Sequence, residues 1–149
     1  MKLLTINPGS TSTKIAVFEN TELIFDKTLR HSVEDLASFP SIIDQYDFRK
    51  KVIMDCLQEK CENISNIDAF VGRGGLLKPI PGGVYRVNDK MIHDLRHAEL
   101  GEHASNLGGI LAYQIAKSVG KEHDSYIVDP VVVDELDDIA RYSGRSELP

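Results

Sequence analysis

Leu4-Thr5-Ile6-Asn7-Pro8-Gly9-Ser10-Thr11-Ser12-Thr13-Lys14 is the stretch on which the reading of this chain turns. A short apolar strand, Leu3 to Ile6, runs into Asn7, a tight turn follows, and a second apolar strand opens at Ile15. Pro8-Gly9 supplies the bend, since Pro presets φ and Gly accepts the values that a sharp reversal demands. The turn gathers backbone N–H groups, several hydroxyls and the Lys14 ammonium around one point. Such a turn forms a concave anion site, and phosphate is the anion that suits this donor set. It is not a Walker-type loop, because no G-x-x-x-x-G-K-[ST] is present and no helix follows. An ordinary polar hairpin turn is the alternative, and spacing alone leaves both open.

Outward from this hairpin, the period of the apolar residues gives the rest of the chain. Residues 2–7, 14–19 and 22–30 read as three strands, with Glu19-Asn20-Thr21 as the turn between the second and third. From Phe48 the period becomes helical: Phe48, Val52, Ile53, Cys56 and Leu57 share one side, with Arg49, Lys50, Lys51, Asp55 and Glu59 assigned to the other. The helix starts near 39 or 47 and ends near 61. Residues 67–72 form a short strand, 72–83 a long Gly- and Pro-rich loop, and Val84-Tyr85-Arg86-Val87 a small strand. Asp89 is the expected N-cap of a helix to about 99. His103 to Val119 is apolar on nearly every side, which predicts a central, buried helix. Tyr126 to Asp129 is a buried strand stopped by Pro130. Strands and helices that alternate in this way predict an α/β fold, a mixed sheet with helices packed on it.

The chain has 149 residues, enough for one domain with a real core. A net charge of −6 argues against a nucleic-acid surface or an anionic membrane surface, which would want a basic patch. It does not exclude ATP, because a phosphate site needs only local positive groups. No apolar run is long enough for a transmembrane helix, and Met1-Lys2-Leu3 leads straight into a strand, so a cytoplasmic location without a signal peptide is expected. Cys56 and Cys61 form no C-x-x-C and are read as reduced thiols. His93-Asp94-Leu95-Arg96-His97 comes close to the H-E-x-x-H zinc pattern, but Asp is too short for the general base and Arg96 adds positive charge, so it is set aside. His31 and His123 read as surface residues.

Three further places could carry chemistry. Arg73 follows a strand in Val71-Gly72-Arg73-Gly74-Gly75, where the glycines let a ligand come close and a guanidinium can clamp a carboxylate or phosphoryl group; a solvated loop arginine is the alternative. Asp129 ends a buried strand, where ligand sites of α/β folds lie, and could hold Mg²⁺ through water or face a transferring phosphoryl group; a turn-opening Asp before Pro130 is the alternative. His103-Ala104-Ser105-Asn106 opens the apolar helix, where N–H groups favour an anion or simply need a cap. Leu76-Leu77-Lys78-Pro79-Ile80-Pro81 either packs the loop or walls a pocket for an aliphatic tail.

Asn7 through Lys14 resembles the N-terminal signature of the acetokinase family, N-x-G-S-S/T-S-x-K, at every fixed position. That family, which includes the acetate and butyrate kinases, belongs to the sugar kinase, Hsp70 and actin superfamily. The text that follows is more similar to butyrate kinases. The resemblance covers this chain but only the first half of such a kinase. It implies a ribonuclease H-like βββαβα domain over 1–149, with a second domain of similar fold absent. It implies reversible phosphoryl transfer from ATP to butyrate or a similar short-chain carboxylate, giving an acyl phosphate and ADP, with Mg²⁺ as cofactor. Asn7, Gly9, Ser10, Thr11, Ser12 and Lys14 then bind phosphate, with Asn7 also toward the metal. Arg73, His103 and Asn106 bind substrate, and Asp129 and Arg73 are catalytic. The family's two histidines flanking the Arg73 position are missing, and Pro130-Val131-Val132 replaces its usual Thr-Ala-Phe. The resemblance also implies a homo-oligomer at full length and an inactive isolated chain. A non-catalytic ATP- or phosphate-binding module, and a kinase for acetate, propionate or a branched-chain acid, remain the alternatives.

Overall fold

The computed structural model describes residues 1–142 and 144. β1 (Lys2–Pro8) pairs antiparallel with β2 (Ser12–Glu19), and β2 pairs antiparallel with β3 (Glu22–Arg30). Asn20 turns the second hairpin at φ 55°, a left-handed value that Asn tolerates better than most residues. A helix of five residues follows, α1 (Val33–Ala37), opened by a reciprocal Ser32–Asp35 capping box that the apolar period alone does not reveal. Then come α2 (Tyr46–Glu59), β4 (Ala69–Arg73), β5 (Val84–Arg86), α3 (Asp89–His97), α4 (Asn106–Lys117) and β6 (Ser125–Val128). The six strands lie in the order β3-β2-β1-β4-β6-β5, with β1, β4 and β6 mutually parallel and β5 antiparallel at the edge. Apart from the added edge strand and short helices, this is the expected βββαβα order on a mixed sheet.

Alternation along each strand decides which face is covered. Leu4, Ile6, Ile15, Val17 and Phe70 point to one side, where Ile53 and Leu57 of α2 and Leu107, Leu111 and Ile115 of α4 pack on them. A second cluster joins Val87, Leu95 of α3, Ile110 of α4 and Ile127 of β6 on the same side. The opposite face carries Thr5, Asn7, Lys14, Val71, Arg73, Tyr126 and Val128, all partly or fully exposed. α4 is the buried central helix its composition predicts. It approaches β4 so closely that a Cβ on Gly72 would lie 2.1 Å from the Gly108 carbonyl oxygen. No helix among the described residues is long and apolar enough to cross a membrane.

Several expectations need correction. The α3 cap is Asn88, whose Oδ1 accepts the Met91 N–H at 2.9 Å, and Asp89 is instead an acid of the first turn. α4 begins at Asn106, because His103 to Ser105 form a preceding turn. His31 is 6% exposed, not a surface residue. Arg49 is fully buried, in the middle of the α2 stripe with Gln45, Ile53 and Cys56, and not on its solvent side. Cys56 is buried and Cys61 exposed, and both are free thiols.

Candidate functional site

The parallel strands β1, β4 and β6 end at one edge of the sheet, the place where α/β folds bind ligands. A depression of about 230 Å³ opens there on the uncovered face, lined by Thr5, Asn7, Val71, Arg73 and Val128 among others. The registers Ile6↔Gly72 and Arg73↔Val128 explain the grouping, since Asn7 and Arg73 follow on the same face at the strand ends. Arg73 and Asn7 are exposed, and neither side chain makes a hydrogen bond or ion pair among the described residues. An unpaired guanidinium and a free amide at the mouth of a depression are what an oxyanion would meet.

Asp129 stands one residue beyond β6 at φ 37°, a left-handed value unusual outside Gly. Two bonds to the β5 side hold it: the Gly83 N–H donates to Asp129 Oδ1 at 2.7 Å, and the Asp129 N–H donates to the Gly83 oxygen at 3.1 Å. Its second carboxylate oxygen has no partner among the described residues. An unusual backbone held by two bonds fixes the carboxylate at the strand end.

The loop between β1 and β2 is organised from behind. Arg49 reaches from α2 with all three guanidinium nitrogens. Nη1 donates to the Gly9 oxygen at 2.8 Å, the Ser12 oxygen at 3.0 Å and Thr13 Oγ1 at 3.0 Å. Nη2 donates to the Ser10 oxygen at 3.1 Å and to Gln45 Oε1 at 2.8 Å, which also accepts from Nε at 3.1 Å. The His31 N–H donates to the Thr11 oxygen at 2.9 Å, and Gly9 N–H closes the turn onto the Ser12 oxygen at 2.7 Å. Burial lowers the Arg49 pKa to about 10, so the group stays charged at neutral pH.

Other expected site residues are placed differently. Lys14 is the cross-strand partner of Asn7, but its Nζ lies 2.8 Å from Asp26 Oδ2 on β3. That bond holds the Asp26 carboxyl below the usual carboxylate range. The ammonium therefore leans toward β3 and does not converge with the loop hydroxyls, because Asp26 sits diagonally across on the same face. Asn106 is buried with both ends of its amide engaged: Oδ1 accepts the Leu76 N–H at 2.8 Å, and Nδ2 donates to the Gly101 oxygen at 3.0 Å. His103 is exposed, its Nδ1 2.7 Å from Ser105 Oγ. The first amides of α4 donate to His103, Ala104 and Ser105 carbonyls, so this helix start is closed by its own turn. Leu77 is 6% exposed in the second core cluster, and with Ile80, Tyr85 and Met91 it also lines a depression whose wall does not include Arg73. His93 and His97 stack with ring centroids 4.0 Å apart, and His97 Nδ1 is 2.8 Å from the His93 carbonyl oxygen. His93, Asp94 and Glu99 do draw together, on a partly exposed helix end where Asp94 already pairs with Lys90.

Arg49, Thr13 and His31 are the residues that sequence reasoning missed. A signal existed: Gln45, Arg49, Ile53 and Cys56 fall on one helical stripe, and a polar pair inside an apolar stripe wants buried partners.

No family model matches the sequence. The chain is 62% identical over 148 residues to butyrate kinase 2 of Clostridium acetobutylicum, covering 99% of the chain and 41% of that protein. It is 55% identical over 148 residues to butyrate kinase 1 of the same organism, with the same shares of both chains. The solved acetate kinase of Entamoeba histolytica matches 98% of the chain with 39% of its own length, at 16% identity and a TM-score of 0.51, a likeness of fold alone. The chain thus spans about two-fifths of the length of the curated relatives it matches. At this identity over 99% of the chain, the sequence is similar to about two-fifths of a butyrate kinase, and the sheet has the ribonuclease H-like order that the acetokinase resemblance implies.

Proposed function

We propose that this chain is the first domain of a carboxylate kinase, which moves a phosphoryl group reversibly between ATP and butyrate or a similar short-chain carboxylate. A second domain supplies the adenosine pocket and closes the cleft. The observation that carries this reading is the unpaired Arg73 guanidinium beside Asn7, in the depression where β1 and β4 end. The names of the relatives, butyrate kinases 1 and 2, supply the substrate class.

The chemistry asks little covalent work of the protein. A carboxylate is already ionised at neutral pH, so it attacks phosphorus without a general base. Phosphoryl transfer then needs in-line placement and charge neutralisation. Arg73 holds the carboxylate or the transferring group through paired hydrogen bonds. The 9–12 loop takes the nucleotide phosphates with amides and hydroxyls. Asn7 Oδ1 and the free oxygen of Asp129 are hard oxygen donors of the kind Mg²⁺ accepts, so the residues present suit that ion. When bound, Mg²⁺ neutralises phosphate charge. Asp129, held by its two bonds to Gly83, positions the reacting groups.

The test is acyl phosphate formation by the full-length natural protein, wild type against Arg73→Ala, over acetate, propionate, butyrate and isobutyrate. Turnover should fall by about 10²-fold or more, as when one preorganised donor to the reacting centre is lost. Because Arg73 is exposed and unpaired, stability should stay within about 0.5 kcal/mol of wild type. Turnover that survives the substitution would remove Arg73 from the mechanism, and a wild type inactive on all four acids would overturn the carboxylate kinase reading.

A further inference from the structure

Arg49 does more than fill space. A trans peptide unit points its C=O and the following N–H in opposite directions, and none of the described peptide bonds is cis. The Gly9 and Ser10 carbonyls both accept from Arg49, at 2.8 and 3.1 Å. The N–H groups of Ser10 and Thr11 must therefore point away from the guanidinium, out of the protein. Neither has a hydrogen-bond partner among the described residues. Two consecutive outward amides form the concave cation-like cup that binds phosphate oxygens.

The charge matters as well. Arg49 is 0% exposed, and among the described residues no carboxylate lies within ion-pair distance of it. Its bonds run to carbonyls, a hydroxyl and the Gln45 amide, all neutral. A buried charge without a counter-ion is costly to the fold. A thin loop is all that separates it from the outward amides, in surroundings where Coulomb interactions are stronger than in water.

We propose that Arg49 is the positioning residue of the phosphate loop: it turns the loop carbonyls inward, so that the Ser10 and Thr11 amides face a nucleotide phosphate, and it sets an unneutralised positive charge behind them. The proposal deepens the kinase reading and rests on its phosphate site. Arg49 touches no reacting atom.

Gln45→Glu separates this role from a purely structural one. The carboxylate keeps the shape and both bonds to the guanidinium, and strengthens them, while it cancels the charge. A structural Arg49 predicts equal or greater stability and unchanged phosphate binding. The unneutralised charge behind the amides predicts equal or greater stability and an ATP Kd raised about tenfold. Arg49→Lys keeps the charge and loses the fork that reaches several carbonyls, so it should also weaken ATP binding. The measurements are Mg–ATP and inorganic phosphate titrations by calorimetry on the full-length natural protein, with the melting temperature of each variant. Wild type that binds neither probe would sink the phosphate reading and this proposal together. Wild type that binds, with folded Gln45→Glu binding as tightly, would overturn the charge role, and folded Arg49→Lys binding as tightly would overturn the positioning of the loop. Should both variants fail to fold, amide resonances of the wild type decide: the Ser10 and Thr11 signals must shift on phosphate addition, and stationary signals would overturn the proposal.

Discussion

His31 shows how one ring reports on this loop. Its Nε2 lies 2.9 Å from Thr13 Oγ1, the hydroxyl that Arg49 also bonds, and its edge meets Phe48 with ring centroids 5.2 Å apart. Nδ1 is buried without a partner. Burial first, then the Arg49 charge, lowers its pKa below 6.5, with Asp35 pulling weakly the other way. The folded protein therefore resists a proton that the unfolded chain accepts. Stability contributed here is complete above pH 6.5 and is lost as pH falls from there to the depressed folded value. Urea unfolding at stepped pH should show this slope, at most about 1.4 kcal/mol per pH unit for one proton. His31→Phe should flatten it, and an unchanged slope in that variant would assign the effect elsewhere.

At the scale of elements, the seat of α4 on β4 positions the strand end. A Cβ on Gly72 would lie 2.1 Å from the Gly108 oxygen, and one on Gly108 would lie 2.2 Å from the Arg73 oxygen. Both obstacles are backbone, which cannot rotate aside as a side chain can. Gly72→Ala should therefore cost about 3 kcal/mol, at the upper end for overpacking, as the helix lifts from the strand. Denaturant unfolding measures it, and a loss under about 0.5 kcal/mol would mean that helix and strand do not meet this closely. The lifted strand end would carry Arg73 with it, so carboxylate binding should weaken in the same variant.

For the whole molecule, the sheet presents a covered face and an open one. The loop, its buried arginine and the strand ends all belong to this chain, whereas the chain spans about two-fifths of the relatives it matches. The phosphate cup should then be complete without an adenosine pocket. Tripolyphosphate and ATP should raise the melting temperature of the 149-residue chain equally, toward a stabilisation of about 2.7 kcal/mol at 100 times Kd. A much larger rise with ATP would place adenosine contacts within this chain.

Much of this was legible in the sequence because it is local. The short apolar runs of β1 to β3, the all-round apolar α4 and the Asn7 to Lys14 turn are patterns of near neighbours, and they identify the elements even where a boundary such as the α4 start differs. Arg73 at a strand end was legible for the same reason. Only the tertiary structure decided which charges are free. Arg49 meets the loop from residues 36 to 40 positions away in the chain, and its burial depends on α2 lying over the first hairpin. Lys14 is turned aside by Asp26, and the Asn106 amide is held by Leu76 and Gly101, through contacts that no short window contains. Periodicity tells which face of an element is buried, but a polar group's partner is set by what packs across from it, and that partner decides whether the group remains available for a ligand.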